Sequence, residues 1–361
     1  MARPIGVGVV GCGYWGPNLV RNFAQQGNAE VLGVCDARLE RATKVGRDNH
    51  VAVATDSIEE LIALAGLDLV VIATPSATHF ELAKRAITAG KHVLVMKPIT
   101  TRSDHAEELV DLADRQGVVL AVDHTFVYTG AVRKMRELVE NGSLGDVYYI
   151  DSVRINLGLF QSDVNVVWDL APHDVSIIDY VMGGQEAESV ATIGGCHAGS
   201  RHENIAYVTI RYGPDVLAHI HVNWLAPAKV RRTIIGGSKS MVIYDDMEAS
   251  EKLKIYDKGV SISPASSAAD VYSQMVQYRS GDMRAPRIDS REALATEAEH
   301  LLECIRTGAQ PNADGRAGLR VVRILEAAQA SIDAGSNFVT VRDTRDVPAW
   351  RLESRRPTSI A

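Results

Sequence analysis

Cysteine and long apolar runs are scarce in this chain of 361 residues, and each scarcity excludes a class of protein. The four cysteines, at positions 12, 35, 196 and 304, follow no disulfide or metal-ligand spacing. No apolar run reaches the length of about 20 residues that crosses a bilayer. The first apolar run starts at Ile5, which leaves no room for a signal peptide. We therefore expect reduced thiols, no bound metal, no membrane association and a cytoplasmic protein.

The chain also lacks an excess of basic residues and any internal repeat. Lys and Arg number 38 against 45 Asp and Glu, which gives a net charge of −7. This balance excludes a general affinity for nucleic acid or for an anionic membrane. No segment recurs at the period of a solenoid. The length and the hydrophobic content of 46% instead suffice for the cores of two domains.

Glycine is concentrated where a dinucleotide would bind. The apolar run from Ile5 to Val10 predicts a buried strand, and GCGYWG follows it directly. In such a motif Gly11 permits a tight turn, Gly13 lets the backbone approach a pyrophosphate, and Gly16 allows a helix to pack closely on the strand. The helix that follows directs its N-terminus at the phosphates. The cofactor contacts expected from this loop are Gly11, Gly13, Tyr14, Trp15 and Gly16.

The second predicted strand ends on a carboxylate, Asp36, twenty positions after Gly16. A carboxylate there accepts hydrogen bonds from an adenosine ribose, which favours NAD over NADP. Arg38 and Arg41 follow closely and could hold a 2′-phosphate, so NADP stays open. The alternative is that Asp36 is a loop acid or a helix cap before Arg38.

The first 124 residues alternate apolar runs with helical patterns, which predicts a doubly wound parallel sheet. The runs lie near 5–11, 30–36, 51–55, 67–74, 92–97 and 118–124. Ligands bind beyond the carboxyl ends of such strands. The residues that close the strands are Gly11, Asp36, Thr74, Lys97 and His124.

Beyond a helix at Ala131–Asn141 the pattern changes to long alternating strands, which predicts an α/β domain with a large, mostly antiparallel open sheet. Helices would cover one face and leave the other for a homodimer or homotetramer. Two further helices are predicted at Glu292–Arg306 and Gly315–Ala334. We therefore divide the chain into a dinucleotide-binding domain at 1–124, a substrate-binding and oligomerisation domain at 125–345, and a polar tail at 346–361.

The segment DLAPH carries the chemistry in the second half. Asp169 and His173 are four residues apart, so a helical turn places them on one face. Pro172 is tolerated near a helix start, which predicts that the pair lies in the first turn. A helix N-terminus would keep His173 neutral and able to act as a general base. The alternative is a helix cap followed by a surface histidine.

Lys97 closes an apolar strand, and Pro98 turns the chain after it. An ammonium there could stabilise the oxyanion that develops as an alcohol loses a hydride. The alternative is a solvated loop lysine.

These motifs together resemble the Gfo/Idh/MocA family, the glucose-fructose oxidoreductase and inositol dehydrogenase group, over nearly the whole chain. The matching segments are GCGYWG at 11–16, ATPSATH at 73–79, Lys97-Pro98, DLAPH at 169–173 and DGRAGLRVV at 314–322. The resemblance implies a Rossmann domain, a second domain whose open sheet mediates oligomerisation, and NAD(P)-dependent oxidation or reduction of a sugar or polyol carbon. It assigns a catalytic set to Lys97, Asp169 and His173, and a nicotinamide-side loop, which Lys97 also faces, to Thr74, Pro75 and His79.

One position departs from the family pattern, because Met96 stands where a glutamate usually precedes the Lys-Pro step. We therefore expect Asp169 to tether Lys97, with Asp123 or His124 as substitute neighbours. The Lys97 ammonium would then donate to the substrate oxygen. His124 is equally interpretable as a satisfied strand-end histidine.

The stretch before DLAPH is dense in polar groups, and it resembles branches of the family that act on C3 of nucleotide-linked hexoses. An ordinary polar loop is the alternative. The residues expected to contact substrate are Lys97, His124, Arg154, Asn156, Asn165, Trp168, Asp169 and His173, with Gln161 and Asp163 nearby. The candidates for binding a diphosphate are Arg154, Lys229, Arg231 and Arg232. The alternative is that each of these four is an ordinary surface charge.

Three hypotheses remain open: an NDP-sugar dehydrogenase or ketoreductase, a dehydrogenase of a free polyol such as inositol, and a non-catalytic NAD-binding regulator.

Overall fold

The computed structural model describes residues 3–158, 164–262 and 276–341. Predictions about Gln161, Asp163 and the tail at 346–361 lie outside these residues. The other predicted site residues, from Gly11 to Arg232, lie within the described parts of the chain.

The first domain contains the predicted parallel sheet, with six strands in the order β3-β2-β1-β4-β5-β6. All six residues of β1 are buried, because helices cover both faces of the sheet, and this explains its unbroken apolar run. The order reverses between β1 and β4, and the crevice at that point is the expected ligand site. The strands are Ile5–Val10, Ala29–Cys35, Val53–Thr55, Leu67–Ile72, His92–Met96 and Leu120–Asp123, and the helices α1 to α5 are Gly16–Ala24, Leu39–Asp48, Ile58–Ile62, His79–Thr88 and Ser103–Gln116.

The second domain contains the predicted open sheet, in the order β16-β13-β12-β11-β7-β10-β9-β8-β17. Every neighbouring pair is antiparallel except β7 and β10. The strands β7 to β17 are Val147–Leu157, Ser189–Gly195, Ile205–Tyr212, Val216–Asn223, Leu225–Gly237, Met241–Asp245, Leu253–Tyr256, Gly259–Ile262, Val276–Arg279, Met283–Arg284 and Val339–Thr340; β14 and β15 form a separate hairpin, and the helices α6 and α7 are Gly130–Glu140 and Val166–Val181.

Alternation along β7 separates the two faces of this sheet. One face, buried beneath the helices, carries Ile150, Ser152 and Arg154. The alternate positions on the other face include Tyr149 and Asp151, which are exposed. The prediction of one covered and one free face is therefore confirmed. Large apolar side chains are exposed on the free face, among them Tyr149, Leu157, Ile193, Tyr207 and Leu217.

The two last helices, α8 (Ala293–Thr307) and α9 (Gly315–Asp333), join the domains. Helix α8 contributes Leu294 and Leu301 to the same apolar cluster as β1 and α1, although the prediction placed it in the second domain. Helix α9 contributes Leu319 to a core of the first domain and Leu325 to the core of the second. The chain thus returns to its first domain after completing most of the second.

Within residues 3–158, 164–262 and 276–341, no helix is both long and apolar enough to cross a membrane. In the same parts of the chain, no group of three or more His, Cys, Asp or Glu side chains is arranged to hold a metal ion.

Candidate active site

The glycine loop after β1 has the geometry that its spacing predicts. Gly11 has a φ of 97°, and a Cβ there would lie 2.5 Å from the carbonyl oxygen of Ala73. A Cβ on Gly16 would lie 2.1 Å from the carbonyl oxygen of Gly11, so only glycine lets α1 start so close to β1. A Cβ on Gly13 would meet nothing within 4 Å, which leaves that backbone open to a ligand. Tyr14 and Trp15 are exposed beside it.

The N-terminus of α1 is suited to a phosphate. Trp15 occupies the N-cap position without a side-chain hydrogen bond to the helix. The amides of the first turn therefore have no side-chain cap and can bind an anion. With Gly13 open above them, these residues fit the pyrophosphate of a dinucleotide.

Asp36 lies at the end of β2 and is buried. Its Oδ2 accepts a hydrogen bond from the backbone N–H of Cys12 at 2.8 Å, and its Oδ1 accepts one from the N–H of Arg38 at 2.9 Å. The carboxylate thus holds the glycine loop in place. Each oxygen keeps a further lone pair for a ribose hydroxyl, so the two interpretations of Asp36 are compatible. Arg38 and Arg41 are exposed nearby.

The loop after β4 is tied to the loop after β5 by His79. The buried ring places Nδ1 at 2.8 Å from the carbonyl oxygen of Pro98 and Nε2 at 2.9 Å from that of Thr74. The Thr78 hydroxyl donates to Thr74 Oγ1 at 2.7 Å, and Pro75 precedes this short turn. Both nitrogens of His79 face protein carbonyls, so its contribution to a cofactor site is to position the loops.

Lys97 follows β5 directly, and its side chain is 18% exposed. Its ammonium donates to the backbone carbonyl oxygen of Asp169 at 2.6 Å and lies 3.7 Å from Asp169 Oδ1. The expected contact with Asp169 is therefore present, although its shortest bond is to the main chain. Burial lowers the pKa of Lys97, and the Asp169 carboxylate opposes that shift. The alternative of a solvated loop lysine is not supported.

Helix α7 starts earlier than the proline suggested. Asn165 caps it, because its Oδ1 accepts from the N–H groups of Val167 and Trp168 at 3.1 and 3.2 Å. Asp169 therefore lies in the first turn, but Pro172 and His173 lie in the second. The prediction that both members of the pair lie in the first turn is wrong, since tertiary packing tolerates a proline inside this helix.

The prediction that Asn165 contacts substrate is also wrong. Asn165 is buried, and its Nδ2 donates to Glu203 Oε2 at 3.0 Å and to Gln329 Oε1 at 2.8 Å. With both donors and both lone pairs used, it has nothing left for a ligand. Its role is to start α7.

His173 is kept neutral by its surroundings rather than by a helix terminus. Burial, reinforced by the cations of Lys97 and Arg154, lowers the pKa of His173 well below its ordinary value. Its Nδ1 is buried and has no hydrogen-bond partner among the described residues. The ring meets that of Phe126 edge to face, with centroids 5.2 Å apart. His173 is thus a neutral base with a nitrogen available.

His124 lies at the end of β6 and is 1% exposed. Neither of its ring nitrogens has a partner in the described parts of the chain, so it is not a satisfied strand-end histidine. Burial, with the nearby charge of Lys97, lowers its pKa to about 3. A ligand hydroxyl would give it the partner it lacks.

Arg154 is not a free surface cation. It is 3% exposed and forms a two-bond ion pair with Asp174, at 2.7 Å from Nε to Oδ2 and 3.2 Å from Nη2 to Oδ1. Its guanidinium lies 4.4 Å from the Phe126 ring centroid. Its Nη1 is buried without a partner among the residues described. Asn156 shares this face of β7 with Arg154.

The other cations proposed to bind a diphosphate do not all lie on the same face of the sheet. Arg231 pairs in register with Arg154 and shares its face, where it lies 5.6 Å from the Phe126 ring. Arg232 pairs with Val153 and therefore lies on the opposite, free face, so its proposed role is wrong. Lys229 is exposed near the start of β11.

Sequence reasoning missed two residues that complete the site. The indole Nε1 of Trp224 donates to Asp169 Oδ2 at 3.0 Å and so holds that carboxylate. Phe126 separates His173 from Arg154 by contacting both. Trp168 packs against the cores of both domains and contributes to the join between them. No local pattern marks Trp224 or Phe126 as site residues.

The chain therefore combines a dinucleotide loop at the carboxyl end of β1 with a half-buried lysine, carboxylate and neutral imidazole at the domain junction. This combination of fold and site defines a nicotinamide-dependent oxidoreductase. Two family models match the chain: the oxidoreductase family with an NAD-binding Rossmann fold at residues 5–124, and the Gfo/Idh/MocA C-terminal domain at residues 132–243. The chain belongs to the Gfo/Idh/MocA family.

Named relatives act on sugars and polyols. The chain is 27% identical over 329 residues to a UDP-N-acetylglucosamine 3-dehydrogenase of Acidithiobacillus ferrooxidans, covering 91% of this chain and 97% of the relative. It is 26% identical over 305 residues to the NADP⁺-dependent scyllo-inositol 2-dehydrogenase IolW of Bacillus subtilis, covering 81% and 84%.

Solved structures agree on the fold. The Acidithiobacillus ferrooxidans enzyme GnnA matches with a TM-score of 0.77 at 25% identity, covering 92% of this chain and 99% of that one. The WlbA dehydrogenase of Bordetella pertussis, solved with NADH and UDP-GlcNAcA, matches with a TM-score of 0.78 at 21% identity, covering 94% and 98%. The protein is an NAD(P)-dependent oxidoreductase of the sugar dehydrogenase type.

Proposed function

We propose that the protein transfers a hydride between NAD(P) and a secondary carbinol or ketone carbon of a nucleotide-linked hexose, with C3 as the favoured carbon. The observation that carries this proposal is the set of buried polar atoms around Lys97 that lack partners in the described residues: His173 Nδ1, both nitrogens of His124 and Arg154 Nη1. Each such atom costs about 1–3 kcal/mol if left unsatisfied. A ligand rich in hydroxyl groups would satisfy them.

Three side chains divide the proton chemistry. A dinucleotide held by the glycine loop at 11–16 and by Asp36 would supply the acceptor for the hydride that the carbinol carbon loses. Neutral His173 takes the hydroxyl proton, and the Lys97 ammonium donates a hydrogen bond to the oxygen as charge develops on it. Asp169 positions Lys97, and Trp224 holds its carboxylate.

Two observations favour a nucleotide sugar over a free polyol. The relative that aligns with 91% of this chain is a UDP-sugar dehydrogenase. Arg231, on the cleft face of β11, pairs with Asp246 at 3.4 Å but stays partly exposed, and it provides a cation that a free inositol would not need. A diphosphate would bind such a guanidinium.

A substrate panel tests the proposal. We expect NAD⁺ or NADP⁺ reduction with UDP- or dTDP-hexoses, followed by absorbance, and far lower kcat/KM with inositols. Turnover of inositols alone would establish the polyol dehydrogenase instead. Tight NAD binding without turnover of any sugar would establish the regulator, against which the grouping of Lys97, Asp169 and His173 argues.

We also propose that a second copy of the chain covers the free face of the large sheet. Tyr149, Leu157, Ile193, Tyr207 and Leu217 expose apolar surface there, and burying it would stabilise a dimer or tetramer. We expect sedimentation to give at least twice the 39.1 kDa of one chain. A mass of one chain at micromolar concentration would contradict this.

The four cysteines support a reducing location for the reaction. Cys12, Cys35 and Cys304 are buried and Cys196 is exposed, and none of the four is in a disulfide in the described parts of the chain. Free thiols persist in the cytosol. We therefore place the proposed activity in the cytoplasm.

A further inference from the structure

Two carboxyl groups are buried together behind the candidate active site. Asp123 ends β6, Glu297 lies on α8, and each is 2% exposed. The two carboxyls are within hydrogen-bonding contact of one another. Nevertheless, Asp123 Oδ2 and both oxygens of Glu297 receive no hydrogen bond from any donor in the described parts of the chain. Two ionised carboxylates can only accept, so this contact requires a proton.

The surroundings decide which of the two carboxyls holds that proton. Burial raises the pKa of Asp123, but three contacts oppose that shift: its Oδ1 accepts hydrogen bonds from the N–H of Thr125 at 3.0 Å and from the Thr125 hydroxyl, Glu297 is in hydrogen-bonding contact with it, and the Lys97 charge favours its ionised form. No residue in the described ranges donates a comparable hydrogen bond to Glu297. Burial and the neighbouring Asp123 raise the pKa of Glu297 well above its ordinary value. The proton therefore belongs on Glu297.

The pair is placed to act on Lys97. Strands β5 and β6 are neighbours, and Met96 pairs in register with Asp123. Met96, the residue that precedes Lys97, carries no charge. Asp123 is close enough that its charge raises the pKa of Lys97, against the lowering effect of burial.

We infer that Glu297 is a protonated positioning residue, whose O–H donates to the Asp123 carboxylate and thereby keeps a negative charge behind Lys97 that holds it as an ammonium. The role assigned to Lys97 rests on the proposed function. Other titratable or charged groups face these three. Asp169, Arg154, His124 and His173 interact with Lys97, and Tyr128 interacts with Glu297 and Asp123.

The first test needs no turnover. In Glu297→Gln an amide N–H replaces the O–H, so the contact survives without a titrating group. The unfolded wild type loses the proton of Glu297 above its ordinary pKa, whereas the folded protein keeps it, so wild-type stability falls relative to the variant as pH rises. We expect the variant's Tm minus the wild-type Tm to increase between pH 5 and pH 8, by about 2 °C for each pH unit over which only the unfolded chain ionises.

Glu303→Gln is the matched control, because Glu303 is exposed on the same helix. Its Tm difference from wild type should stay constant with pH. A Glu297→Gln difference that is equally constant, or that falls as pH rises, overturns the inference.

The second test measures the protonation of Lys97 through the pH dependence of kcat. In Glu297→Leu, Asp123 loses its donor and takes up a proton from solvent, so its negative charge is lost; in Asp123→Asn the carboxylate itself is removed. Both variants should move the alkaline limb of the pH–kcat profile about one pH unit or more towards neutrality. Glu297→Gln should restore its position. A limb that does not move in the Leu and Asn variants overturns the coupling to Lys97. If the protein turns over no sugar, the proposed function fails, while the Tm comparison still decides whether Glu297 holds a proton.

Discussion

Replacing Lys97 by methionine is expected to lower kcat by about 10²- to 10³-fold, the range for removing one donor to a developing oxyanion. Methionine keeps the length of the side chain but removes the ammonium that donates to Asp169 at 2.6 Å. Because the glycine loop is untouched, NAD(H) affinity should remain close to that of the wild type. Steady-state kinetics on the best substrate, with a fluorescence titration of NADH, measures both quantities.

Lys91→Met provides the control for losing a lysine beside the same strand. Lys91 directly precedes β5, at the opposite end of the strand from Lys97, and donates to the carbonyl oxygen of Leu67 at 3.0 Å. Its kcat should be close to that of the wild type. Near-normal turnover of Lys97→Met with the cofactor bound would remove the assigned role of Lys97.

Replacing His173 by asparagine is expected to lower the rate of alcohol oxidation by about 10²- to 10⁴-fold, since the general base is lost. The pH profile adds a second signature. The pKa of His173 is well below its ordinary value, so the neutral base persists as pH falls through 6.5. The wild-type oxidation rate should therefore hold between pH 8 and pH 6.5 and decline only below that range, whereas the variant should lack this acid limb.

His105→Asn is the corresponding control. His105 stacks on Phe80 with ring centroids 3.9 Å apart, on helices α4 and α5. It should change neither the rate nor the shape of the profile. A wild-type profile that falls with a midpoint near 6.5 and persists in His173→Asn would assign the titration to another group.

The first domain was predictable because its strands are buried on both faces and therefore appear as apolar runs in the sequence. The residues that close those runs, such as Asp36 and Lys97, consequently lie where the runs end. The meeting of Lys97 and Asp169 followed from two motifs, each local in sequence.

The errors arose where distant side chains decide the structure. Asn165 looked available to a ligand, but Glu203 and Gln329 occupy it, and nothing near it in sequence indicates them. Pro172 suggested a helix start that the Asn165 cap sets instead. The pairing of Asp123 with Glu297, which lies far along the chain, could not be read from spacing, since α8 returns to a domain that the chain had already left.

The shared packing of α9 has a consequence for how dinucleotide is exchanged. Leu319 and Leu325 lie on one helix but in the cores of different domains, and Trp168 contacts both cores. A hinge that swung the domains apart would expose this apolar seam to water, at about 25 cal/mol for each Å² uncovered. Nucleotide turnover in this protein should therefore rely on local rearrangement of the loops at the mouth of the cleft, with the lysine and the imidazole held at a nearly constant separation throughout the cycle.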